Sequence, residues 1–157
     1  YFSAYKFPMK INIDFNNLSG SPIKKDFVEK IASATLEEAL KSGGQGKKIS
    51  LSFAVVSEEE IKKSNKTYRG KDSVTDILTF AEFKNTKELE KTLAVEKEVF
   101  LGEALLCYND IEKYCLIKGK NLKEELATVI SHGVLHMLGW KHGKKMFDLQ
   151  KRIAGAS

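Results

Sequence analysis

The chain has 157 residues, 42% of them hydrophobic and 30% charged, with a net charge of +5. That length suits one domain that buries about two-thirds of its unfolded surface, and the composition excludes a disordered chain and a collagen-like or coiled-coil fibre. No apolar run approaches the ~20 residues that cross a bilayer; two cysteines, Cys107 and Cys115, are too few for a disulfide framework and read as reduced thiols of a cytoplasmic protein.

Residues 1–8, YFSAYKFP, lack the basic-then-apolar order of a secretory signal and read as a cloning remnant or disordered lead-in to Met9, leaving 9–157 as a single domain. Ile11, Ile13 and Phe15 alternate as in a half-buried strand. Ser21-Pro22 predicts a helix start, followed by an apolar stripe of Ile23, Phe27, Ile31, Ala34 and Leu40 up to a glycine-rich loop at 42–48. Residues 49–56 alternate again as a second strand. Ser57 and Glu60 form a capping box for a short helix over 58–66, and 68–76 reads as a polar loop. Residues 76–83 have strand composition, the charged segment 84–98 is expected to be a loop or frayed insertion, and 99–108 is a further strand.

Asn109 is the expected cap of a helix that closes at Gly119, and Asn121 that of a long helix to Leu138 carrying Leu122, Leu126, Val129, Ile130, Val134 and Met137. A last amphipathic helix spans about 144–153. Strands separated by helices predict a single α/β (α+β) domain with an about four-stranded mixed sheet packed against helices.

The three histidines, His132, His136 and His142, all lie in the stretch SHGVLHMLGWKH at 131–142. On a helix the first two stack one turn apart on one face. Gly139 permits the chain to stop and turn back, which delivers His142 as a third ligand. Three neutral imidazoles with a fourth position open is the composition of a catalytic zinc site; nickel and cobalt fit the same donors. Residues 109–157 hold nine basic against five acidic residues, a bias that attracts a polyanion such as nucleic acid. A Lys-rich solvated surface accounts for that bias equally well.

The spacing H-x3-H-x2-G-x2-H is that of metzincin zinc peptidases, but the residue after the first histidine is Gly133, where those enzymes carry a glutamate base. Arg69 is one of only two arginines among 26 basic residues. On a glycine-containing loop its planar guanidinium can clamp a phosphate at two points and offset charge on phosphoryl oxygens. Lys71 is a candidate second phosphate contact, with Asp72 and Asp76 as loop hydrogen-bond acceptors.

HGVLHMLGWKH, together with NKTYRGKDSVTDILTF at 65–80 and LGEALL at 101–106, resembles the YbeY family of bacterial endoribonucleases that act in ribosomal RNA maturation. The family pattern reads H-G-x-L-H-x-x-G-Y-D-H, N-x-x-Y-R-x-K-D-x-x-T-D-V-L-S-F and L-G-D-I, and the resemblance covers roughly residues 50–142. It implies that His132, His136 and His142 bind the metal and that Arg69 is catalytic. Trp140, Lys141 and Leu101-Gly102-Glu103-Ala104 depart from the pattern.

The expected function is a zinc-dependent single-strand endoribonuclease, one ion per chain, acting on ribosomal RNA in processing and ribosome quality control. RNA and the ribosome or its assembly factors are the expected partners, and Lys71 and Lys141 the substrate contacts. The alternatives are a metal-dependent peptidase and a non-catalytic, ribosome-associated metal-binding protein.

Overall fold

The computed structural model describes residues 7–157, so the reading of 1–8 as a lead-in lies, for residues 1–6, outside the described residues. Four strands form one mixed sheet in the order β1-β2-β4-β3, built from β1 (Lys10–Asn17), β2 (Lys48–Val55), β3 (Ile77–Ala81) and β4 (Glu98–Leu106). β1 and β2 are parallel, as are β2 and β4, while β3 runs antiparallel along β4. Six helices surround it: α1 (Lys25–Leu40), α2 (Glu58–Arg69), α3 (Thr86–Val95), α4 (Tyr108–Lys118), α5 (Leu122–Met137) and α6 (Lys144–Gly155).

The alternation in β2 buries Ile49, Leu51, Phe53 and Val55, which join Leu101 and Leu106 of β4, Leu36 of α1 and Ile130, Val134 and Leu135 of α5 in the main core. Each such side chain, fully buried, contributes about 1.5–3 kcal/mol. On the other face a smaller cluster of Val56, Ile61, Leu78 and Cys107 seats α2. α5 is therefore apolar around most of its circumference, and its histidines sit where that arc ends.

The β2–β4 register slips between Ser50 and Ser52, a bulge that falls at Gly102. Gly102 has φ +141°, and a Cβ there would lie 2.3 Å from the Phe80 carbonyl oxygen of β3. Glycine is thus required both by the backbone and by the close approach of the edge strand.

Several boundaries differ from the sequence reading. α1 begins at Lys25 rather than at Ser21-Pro22, because the Asn17 amide donates to the carbonyls of Ser21 (2.8 Å) and Ile23 (3.3 Å) and holds that segment as a turn. The N-cap position of α4 is Cys107, and Asn109 lies within the first turn. α2 continues to Arg69, which places that arginine on a helix end and not on the loop.

The segment 84–98 is the largest correction: it contains α3, not a loop. Asn85 Oδ1 accepts from the Glu88 N–H (2.9 Å), Glu88 Oε2 accepts from the Lys84 N–H (3.1 Å), and Leu89 and Leu93, four residues apart, are buried in the core. The capping pair and the apolar spacing were both present in a stretch whose charge masked them.

Candidate metal centre and nucleic-acid cleft

α5 is N-capped by Asn121, whose side chain accepts from the Glu124 N–H (3.0 Å), and is tied to α1 beside the site by a buried Thr35–Ser131 hydroxyl pair at 3.1 Å. Its last two turns carry His132 and His136. The helix then ends in a Schellman motif: Gly139 N–H donates to the His136 carbonyl and Trp140 N–H to the Leu135 carbonyl, both at 3.0 Å. Gly139 has φ +83°, and a Cβ on it would lie 2.5 Å from the Thr86 nitrogen. The start of α3 thus presses on this turn, and Thr86 Oγ1 donates to the Leu138 and Gly139 carbonyls. That brace aims His142 back at the other two rings.

The three Nε2 atoms converge: His132 to His136 is 2.8 Å, His136 to His142 is 3.1 Å, and His142 to His132 is 3.2 Å. Nitrogens of three zinc-bound imidazoles stand about 3.3 Å apart, given bonds of ~2.0–2.1 Å at tetrahedral angles. Three ring nitrogens aimed at one point make a donor set that fits a divalent cation. Burial first, then the His136 and His142 rings, lowers the His132 pKa from 6.5 to about 4. His136 is lowered by burial, by His142 and by Arg69, against a raising backbone hydrogen bond to Trp140. Both rings are therefore neutral near pH 7, the form that ligates.

The histidines form one wall of a cleft of about 610 Å³ whose other side includes Arg69, Lys71, Ser73 and Thr75. Arg69 donates from Nη2 to the Thr79 carbonyl (2.5 Å) and lies over the Phe80 ring, with Cζ 5.7 Å from its centroid. One edge of the guanidinium is thereby fixed to β3, and its remaining N–H groups are available to a phosphate. Asn65, 4% exposed, donates to the Ser73 carbonyl (3.0 Å) and so shapes the loop that carries Lys71. Asp76 Oδ1 accepts from the Ile77 N–H (2.7 Å), a local structural role, and Asp72 stands 3.9 Å from Lys66 on the surface.

Lys141 is placed elsewhere. It lines a separate cavity of about 360 Å³ with Asn85, Thr86, Lys87, Trp140 and Lys145, and Lys145 Nζ sits 4.4 Å above the Trp140 ring. The sequence reading missed Gln150, whose amide touches His132, and Phe147, whose ring parallels His142 at 6.4 Å. Neither carried a signal, because α6 reads only as an amphipathic helix.

Gly133 packs against β3, where a Cβ would meet Ile77 Cδ1 at 2.6 Å and Thr79 Cγ2 at 3.3 Å. The position that holds the base in metzincin peptidases is therefore filled by the neighbouring strand.

The "Endoribonuclease YbeY" family model matches residues 13–156. An endoribonuclease YbeY of Pelotomaculum thermopropionicum is 32% identical over 127 residues, covering 81% of each chain. That of Staphylococcus aureus strain JH9 is 32% identical over 149 residues, 92% of this chain and 94% of the relative. The solution structure of a Thermotoga maritima protein superposes with a TM-score of 0.56 at 27% identity, covering 89% of this chain and 86% of the other. A histidine triad on a helix and its glycine turn, an arginine anchored to the facing edge strand, and similarity along nearly the whole chain agree: the chain belongs to the YbeY endoribonuclease family.

Proposed function

We propose that the chain is a zinc-dependent endoribonuclease that cleaves single-stranded ribosomal RNA during processing and quality control of ribosomes in the cytoplasm. The observation that carries this is the convergence of three imidazole nitrogens in a cleft whose facing wall presents Arg69. His132, His136 and His142 would hold the ion, which when bound would supply Lewis acidity toward a phosphoryl oxygen. Arg69, held by Thr79 and Phe80, orients the phosphodiester and offsets charge that builds on it as the bond breaks. Lys71 adds a point charge on the same side. Lys141, with Lys87 and Lys145, offers further phosphate contacts beyond the cleft, and ribosomal particles or their assembly factors are the partners such a substrate implies.

The peptidase reading lacks a base: Gly133 has none, and the strand beneath it leaves no room for one. No helix among the described residues is long and apolar enough to cross a membrane.

The test is a labelled single-stranded RNA and a denatured protein, each incubated with enzyme and with enzyme plus chelator. RNA cleavage that the chelator abolishes and zinc restores is expected, with the protein intact. Arg69→Ala should lower cleavage by ~100-fold or more with metal content unchanged, and Arg69→Lys should recover little, since an ammonium cannot make the two-point contact. Cleavage of the protein alone, or of neither substrate, would overturn the proposal.

A further inference from the structure

We propose that Gln150 is a positioning residue for the metal centre, fixing the ring orientation and tautomer of His132. The inference rests on the metal-site reading above and adds to it a partner on another helix. Gln150 lies on α6, is 4% exposed, and places its amide nitrogen Nε2 2.5 Å from His132 Nδ1. His132 and Gln150 are eighteen residues apart, so this contact exists only because α6 packs on α5 after the His142 turn.

The chemistry sets the direction of the bond. His132 turns Nε2 toward His136 and His142, and a neutral imidazole carries a single N–H. For Nε2 to present a lone pair to a cation, the proton must be on Nδ1. The group beside Nδ1 must then be an acceptor, and the Gln150 amide supplies one through Oε1. A half-turn of the same amide exchanges its nitrogen for its oxygen at this place, so in the metal-free chain Nε2 can hold the ring proton while Nδ1 accepts from the amide N–H. Ion binding selects the other tautomer, with Oε1 accepting from Nδ1–H. Because the residue is buried, no water replaces the amide when it is removed. Ring ligands oriented by such a partner lose about 10–100-fold in metal affinity when it is deleted.

Three variants decide the matter, measured by zinc affinity in chelator competition and by the nitrogen NMR shifts of His132 in the zinc-loaded protein. Gln150→Leu, similar in volume and unable to accept a hydrogen bond, is expected to weaken zinc binding by about 10–100-fold. Thermal unfolding of the metal-free variant, compared with the parent, shows whether the fold persists. Gln150→Glu should restore affinity to at least the parent level, because a carboxylate accepts from Nδ1–H more strongly than an amide. Rescue by glutamate is what a purely packing role would not produce. Gln150→Met serves as a second apolar variant if leucine impairs folding and should weaken zinc binding equally. In the parent, the His132 Nδ1 shift should be that of a protonated nitrogen and Nε2 that of a ligating one.

Parent-like zinc affinity in the leucine and methionine variants, or glutamate behaving like leucine, would overturn the proposal. That failure is distinct from failure of the metal site itself, which appears as absence of zinc binding in the parent chain.

Discussion

Adding one methyl group at Gly133 tests whether the contact between α5 and β3 sets the frame of the metal centre. In an open helix, Gly→Ala stabilises by about 1 kcal/mol. Here the new Cβ would lie 2.6 Å from Ile77 Cδ1, 3.3 Å from Thr79 Cγ2 and 3.7 Å from Ile77 Cγ1. Overpacking of this kind costs about 1–3 kcal/mol, so Gly133→Ala should range from neutral to ~2 kcal/mol destabilising. Ile77→Val removes Cδ1, the nearest atom, at a cost of about 0.5–1.5 kcal/mol. In that background the same Gly133→Ala change should range from neutral to ~1 kcal/mol stabilising, since the worst contact is gone and only Thr79 Cγ2 at 3.3 Å has to give way slightly. The assay is urea unfolding of the four metal-free proteins, with zinc affinity measured on each. A coupling energy of ~1–3 kcal/mol is expected, together with weaker zinc binding in the single Gly133→Ala variant that Ile77→Val relieves. Additivity within ~0.5 kcal/mol would refute the reasoning. Gly133→Glu, whose chain extends past the space that Cδ1 vacates, should stay destabilised in both backgrounds.

The purified chain should bind one zinc ion by elemental analysis, and His132→Ala, His136→Ala and His142→Ala should each abolish stoichiometric loading; retention in any of them would remove that histidine from the ligand set. Lys141→Ala should leave zinc affinity unchanged and reduce the dependence of RNA binding on salt by about one phosphate contact, since Lys141 lines a cavity apart from the histidines; a shift in zinc affinity would place it at the metal instead. Stability of the metal-free protein should fall on acidification. His132 titrates at about 4 when folded against 6.5 as a free group, so the unfolded chain binds the extra proton between those values. Because the ring is only partly buried, solvent screening keeps the loss between pH 6.5 and pH 4 well below the ~1.36 kcal/mol per pH unit that the full shift would give. A profile as flat as that of His132→Ala would show that the ring is not buried neutral.

Much of this protein was legible from neighbouring residues. Ile11, Ile13 and Phe15 face the core as their alternation required, Ser57 accepts from the Glu60 N–H, Asn121 caps α5, and Gly139 turns the chain with positive φ. These features depend on periodicity, caps and φ preferences that a span of ten residues contains. The convergence of the three histidines was legible for the same reason, because all three lie within eleven consecutive positions. Tertiary packing decided the rest. Arg69 is aimed by the carbonyl of Thr79, a backbone group that no residue type at position 79 announces. Lys141, one residue before His142, lines a cavity with Lys87 and Lys145 that is separate from the cleft of the histidines. Gly133, which in sequence is merely a missing glutamate, is in three dimensions the point where β3 approaches α5 too closely for a side chain. Gln150 reaches His132 because buried Met146, Leu149 and Ile153 seat α6 in the core beside α5. Local sequence encodes where each element begins and which face it buries, whereas the direction of a long side chain is set by groups that only the packed chain brings within 3 Å.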